Sequence, residues 1–177
     1  MAQSAFIVCV PEAEPLVSAL RERFDPSAKQ GVPAHITILY PFMSPHLVSE
    51  QVLADVRRTV SQVASFKFLL SKVGRFPATT YLAPNPAGPF EELTRRLVER
   101  FPAYLPYAGE QERVIPHLTV AHGNPQQASA AEAQLSAALA GRDGISSTCN
   151  EIVLLENSSG TWKTMHAFGL SPQKERS

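Results

Sequence analysis

Two tripeptides constrain this chain more than any other feature: His35-Ile36-Thr37 and His117-Leu118-Thr119. Each lies in a stretch that reads as a β-strand, His35 to Phe42 and Pro116 to His122. β-Branched and aromatic residues dominate the first, which Pro41 closes. Side chains alternate along a strand, so residues i and i+2 share a face. His35 and Thr37 therefore project together, with Ile36 and Ile38 behind them. His117 and Thr119 do the same in front of Leu118 and Val120. With five histidines and nine threonines in the chain, two His-x-Thr motifs arise by chance in roughly one chain in forty of this composition. A single copy would carry no weight, but two copies in matching strands do.

The surrounding segments repeat as well. Phe6 to Val10 reads as a buried strand, Leu16, Leu20 and Phe24 as one face of a helix, and Val52, Val56, Val60 and Val63 as the apolar stripe of a helix over Val48 to Ala64. Strands are expected over Phe66 to Val73 and Thr79 to Ala83. Asn85-Pro-Ala-Gly-Pro89 then punctuates the chain. Beyond it, Phe90, Leu93, Leu97 and Phe101 mark a helix. Ser129 with Glu132 resembles a capping box opening an alanine-rich helix. Ile152 to Leu155 and Trp162 to Leu170 close the series as strands around Asn157 to Gly160. His35 and His117 are 82 residues apart, and so are Val73 and Leu155. The expectation is one domain over residues 1–177, built from repeats of about 11–84 and 89–170. Neither repeat is long enough to bury a core comfortably alone, so two lobes would pack together and leave a cleft for a ligand. The plain alternative is an ordinary α+β domain whose elements merely alternate.

Composition narrows the function. Of 177 residues, 44% are hydrophobic and 18% charged, which fits a packed globular chain. Lys plus Arg number 16, as do Asp plus Glu. That balance argues against a protein gripping many phosphates along a duplex, while leaving room for one small anion. The apolar run at the start lacks a basic flank and stops at Pro11. No signal peptide or membrane span is expected, and the cytoplasm is the default compartment. Cys9 and Cys149 lie outside any C-x-x-C spacing and read as small buried hydrophobes. Neither opens the Cys-x5-Arg loop of a thiol phosphatase. Triphosphate-binding, serine-hydrolase and common zinc motifs find no match. Thr accompanies each motif histidine where a metal site would want Asp, Glu or Cys. No metal or cofactor is expected.

The duplicated His-x-Thr strands resemble those of the 2H phosphoesterase superfamily, in particular its 2′-5′ RNA ligase-like (cyclic phosphodiesterase) branch. Val32-Pro33-Ala34, Leu39-Tyr40-Pro41-Phe42 and Ile115-Pro116 are similar flanks. The resemblance implies an α+β fold that is bilobal, with two pseudo-symmetric lobes, each an antiparallel sheet with helices packed outside, and an active-site cleft between them. It also implies metal-independent chemistry on 2′,3′-cyclic or 2′-5′ phosphodiester bonds, with a 2′-phosphate product favoured. Independently of the resemblance, cleaving a phosphodiester without a metal needs a base and an acid. Histidine, with an ordinary pKa of about 6.5, serves either role near neutrality. His35 and His117 are the expected acid–base pair, their roles interchangeable, and Thr37 and Thr119 the donors to non-bridging oxygens. The expected substrate is a nucleotide or RNA end carrying a phosphodiester, handled by a monomer. Alternatives are 2′-5′ RNA ligation, 2′-5′ phosphodiester cleavage, and a non-catalytic module that binds nucleotides or RNA ends.

Other residues are weaker candidates. Tyr40 and His122 each follow a motif histidine by five positions. Ideal alternation turns them away from the catalytic face, toward core or rim, unless a bulge re-aims them. The family sometimes places a phosphate-contacting residue there. Phe42, Tyr81 and Trp162 could stack a nucleobase at the cleft mouth, although a single aromatic is more often core. Arg75 and Lys163 could help neutralise phosphate, but they read better as solvated charges. His46 and His166 read as surface or core histidines.

Overall fold

The computed structural model describes residues 1–111 and 113–173. Eight strands form one antiparallel sheet: β1 (Ser4–Cys9), β2 (His35–Leu39), β3 (Phe66–Phe76), β4 (Thr79–Asn85), β5 (Leu118–His122), β6 (Ile145–Cys149), β7 (Glu151–Glu156) and β8 (Lys163–Gly169). Their spatial order is β6-β3-β4-β5-β2-β1-β7-β8. Among the described residues five α-helices accompany them: α1 (Glu14–Phe24), α2 (Pro26–Lys29), α3 (Glu50–Val60), α4 (Gly88–Arg100) and α5 (Pro125–Leu139). The α+β class expected from the sequence is therefore found. The two separate sheets are not: β2 and β5 join the halves into one sheet, through the antiparallel pair Ile36↔Leu118.

The halves of the sheet do not coincide with the halves of the sequence. β2, β1, β7 and β8 make one half, and β5, β4, β3 and β6 the other. Each repeat thus sends its last strands across to the partner half. β1 to β3 run β-α-β-α-β, and β4 to β7 run the same way with one extra strand, β6, before the last, so β4 opens the second series where the sequence pattern had it closing the first. The exchange explains why neither repeat needs a core of its own. Phe66, Phe68 and Leu70 of β3 belong to the same buried cluster as Phe6 and Val8 of β1 and Ile152 and Leu154 of β7.

The four longer helices cover one face. α1 and α5 pack behind the β5 half, α4 packs on β2, and α3 lies against α4 and β8. Ile36, Ile38, Leu118 and Val120 are almost completely buried on this side. The amphipathic patterns of α3 and α4 place Leu53, Val56 and Val60, and Phe90, Leu93 and Leu97, toward it. The caps are ordinary ones: Ser49 accepts from the Val52 N–H at the start of α3. For α5 the cap is Asn124, whose side chain accepts from the N–H groups of Gln126 and Gln127. The Ser129–Glu132 pair lies inside that helix, and Glu132 instead holds Arg75 at 2.7 Å. The sequence pattern also missed β6, a short strand with Ser146, Ser147 and Thr148 at its centre. Among the described residues, no helix is long and apolar enough to cross a membrane.

Candidate active site

The other face of the sheet carries both His-x-Thr motifs. Since Ile36 pairs with Leu118 antiparallel, extending the register one residue either way sets His35 beside Thr119 and His117 beside Thr37. In a regular ladder the two diagonal histidines then stand about 7–8 Å apart, side-chain root to side-chain root. His35, Thr37, His117 and Thr119 all line one cleft of about 360 Å³. The motifs thus meet across the joint that the exchange of strands creates.

Both imidazoles are held alike. The His35 Nδ1 lies 2.8 Å from the Pro33 carbonyl oxygen and the His117 Nδ1 2.6 Å from that of Ile115. A carbonyl only accepts, so Nδ1 carries the proton in each ring. Nε2 is then the atom that can take or give a proton. Burial against the sheet pushes the His35 pKa down to about 4; the nearby Arg21 and His117 lower it further, against the Pro33 bond and the Asp25 charge. His117 is also lowered, by burial first and by His122 second, while its bond to Ile115 works the other way. Both shifts favour the neutral form of the ring.

Tyr40 and His122 reach the same cleft, the outcome that simple alternation made the less favoured one. The physical reason is a bulge, used twice. Ile7 pairs with Thr37 and Phe6 with Leu39, so Ile38 is an extra residue in β2. Tyr81 pairs with Thr119 and Thr80 with Ala121, so Val120 is an extra residue in β5. Each insertion shifts the face of everything after it, turning the fifth residue inward. Tyr40 donates to the Gln3 side-chain oxygen at 2.9 Å. The His122 Nδ1 lies 2.8 Å from the Thr79 hydroxyl.

The aromatic candidates divide. Phe42 is a correction: it is 5% exposed and packs into the core against Phe6, Phe101 and Tyr104, so it cannot stack a base at the cleft mouth. Tyr81 stacks on Phe76 at 4.6 Å, and both meet the His117 ring in an edge-type arrangement, at 5.4 and 5.5 Å. Trp162 stands 6.1 Å from Tyr40, edge to face, in the wall of a neighbouring cavity. Arg75 turns away to Glu132, and Lys163, His46 and His166 are exposed.

Sequence reasoning missed several lining residues: Asp25, Ser27, Thr79, Tyr107 and Gln111. Asp25 is the unexpected one, an acid in a cleft that the sequence reading gives to an anion. Its charge is balanced by Arg21 at 3.1 Å, with side chains 4% and 3% exposed. No lysine or arginine is among the described residues lining the cleft. The polar groups it offers are hydroxyls, an amide and imidazoles, with the Asp25 carboxylate. Among the described residues no group of three or more His, Cys, Asp or Glu is gathered to hold a metal.

Comparison with known proteins adds a family to this geometry. No curated protein sequence matches the chain. Among solved structures, TT0787 of Thermus thermophilus is similar at 18% identity and a TM-score of 0.62, covering 97% of this chain and 100% of that one. LigT of E. coli, in complex with 3′-AMP, is similar at 15% identity and a TM-score of 0.58, covering 96% and 98%. A protein described as a phosphoesterase aligns at 16% identity with a TM-score of 0.58, covering 97% and 99%. These likenesses establish the fold. The description of the 2′-5′ RNA ligase superfamily matches residues 9–161, most of the chain and both His-x-Thr motifs, and the protein therefore belongs to that superfamily of 2H phosphoesterases.

Proposed function

We propose that the protein is a metal-independent phosphodiesterase that opens 2′,3′-cyclic phosphates of nucleotides or RNA ends with water. The observation that carries this reading is the pair of Nδ1–carbonyl bonds, which leave an Nε2 on His35 and an Nε2 on His117 as the proton-transfer atoms of one cleft. One imidazole, neutral, takes a proton from water as its oxygen attacks phosphorus. The other, protonated, gives its proton to the ribose oxygen as the P–O bond breaks. The product is a phosphomonoester, and the two rings have exchanged protonation states. Water and solvent protons restore them. Thr37 and Thr119 donate hydroxyl hydrogen bonds to the non-bridging oxygens, where negative charge is held in the transition state.

The complex of a structural neighbour with 3′-AMP supports a nucleotide as the class of ligand. Turnover of nucleoside 2′,3′-cyclic phosphates by the purified chain tests the proposal. His35→Ala and His117→Ala should each lose about 10²–10⁴-fold in kcat with circular dichroism unchanged. A chelator should leave the rate intact. Near-normal turnover in either folded variant would refute the acid–base assignment.

A further inference from the structure

Pseudo-symmetry leaves open which way round a substrate lies, but the two walls of the cleft are not alike. Ile7 of β1 and Tyr81 of β4 are equivalent positions, since each pairs with the threonine of its motif. On the His117 side, the Tyr81 ring fills the space, stacked on Phe76 and edge-on to the imidazole. On the His35 side, isoleucine is too short to do so. A second cavity of about 240 Å³ opens there, continuous with the cleft through Ser27, His35, Thr37 and Tyr40.

That cavity has the makings of a heterocycle site. Its floor is apolar, with Ala5, Ile7, Val32 and Leu155 all buried, and its aromatic wall is Tyr40 with Trp162. Trp162 is fixed in advance. Its backbone N–H donates to the Gln30 carbonyl at 2.9 Å and its indole N–H to the Gln30 side-chain oxygen at 3.3 Å. Gly31, at φ +91°, lets the two turns close: a Cβ there would stand 3.2 Å from the Trp162 carbonyl oxygen. Because the indole can only donate, it fixes the Gln30 amide with its oxygen toward Trp162 and its NH2 left to donate elsewhere. An apolar floor, an aromatic wall and one amide donor suit a nucleobase with a ring-nitrogen or carbonyl acceptor on its edge. The volume falls below the roughly 300–1,000 Å³ of drug-sized sites, which fits one base better than a dinucleotide.

We infer that this cavity binds the base of the nucleotide whose phosphate occupies the cleft, so that the nucleoside lies on the His35 side. The inference rests on the phosphodiesterase reading and deepens it. Trp162 is the chain's single tryptophan, and its emission reports the site directly. The full chain is titrated with adenosine 2′-monophosphate, uridine 2′-monophosphate and a base-free control, methyl β-D-ribofuranoside 2-phosphate, following Trp162 fluorescence and calorimetric heat. Nucleotides should quench emission saturably and bind about tenfold or more tighter than the control. Trp162→Ala should abolish that preference while leaving control binding unchanged, and Trp162→Phe should restore most of it. Equal affinity for nucleotide and control, with unchanged emission, would overturn the base site while sparing the phosphate cleft. Absence of binding by all three would overturn the functional reading itself, and the base site with it.

Discussion

A carbonyl placed two residues before each histidine does more here than orient a ring. It fixes the proton on Nδ1, and burial then lowers the affinity of Nε2 for a second proton. The pH dependence follows. On the proposed two-histidine mechanism, kcat/KM requires one ring protonated and one neutral in the free protein. Below both pKa values the base is lost, and above both the acid is lost, giving a bell with its maximum between them. One value is about 4 and the other lies below the ordinary 6.5, so the maximum falls on the acid side of pH 6.5. A bound phosphoryl anion favours imidazolium, so the alkaline limb of kcat should lie at higher pH than that of kcat/KM. Steady-state rates between about pH 4 and 9 test this; a kcat/KM maximum above about pH 7 would contradict it. The identity of both motifs and the Thr hydroxyls were legible in the sequence because alternation in a strand is a local rule. Asp25 was not, because what makes it tolerable beside an anion is Arg21 on the preceding helical turn, with both side chains buried.

At the level of elements, the junction of α1 and α2 rests on that buried pair. The Arg21 guanidinium also donates to Ser27 and to the Val32 carbonyl, and Asp25 accepts from the Ser27 N–H and hydroxyl. Removing one partner leaves the other charged and desolvated. Arg21→Met should therefore cost about 3–5 kcal/mol in urea unfolding; a loss under about 1 kcal/mol would show that the pair does not hold the junction. A second dependence lies in β3 and β4. Gly74 pairs with Tyr81, and a Cβ there would run into the tyrosine ring. Gly74→Ala forces that ring off Phe76 and away from His117. It should lower kcat about ten- to 100-fold by misplacing the imidazole, with KM little changed. Unaltered kcat would mean that Tyr81 does not position His117. Most strand and helix positions followed from apolar periodicity and from Pro and Gly punctuation; β6 and the short α2 did not. The paired bulges at Ile38 and Val120 did not, because the extra residue in each strand is visible only against its neighbour's register.

Across the whole molecule, the sequence offers matching spacings, but the exchange of strands between the halves of the sheet is not legible in it. Sequence order ties β3 and β4 to the first histidine, but space gives them to the second. A pattern along one chain reports which elements recur and is silent on which copy each one pairs with. That exchange brings β2 and β5 together at Ile36↔Leu118 and so sets the two motifs on one face. If both imidazoles serve one phosphorus, they act as a unit and not as independent helpers. The decisive measurement is a double-mutant cycle on hydrolysis of a nucleoside 2′,3′-cyclic phosphate, comparing His35→Ala, His117→Ala and the pair. Cooperation at a single phosphorus predicts that the double variant is hardly slower than the slower single one. Multiplying losses, or a folded single variant with near-normal kcat, would contradict a shared site.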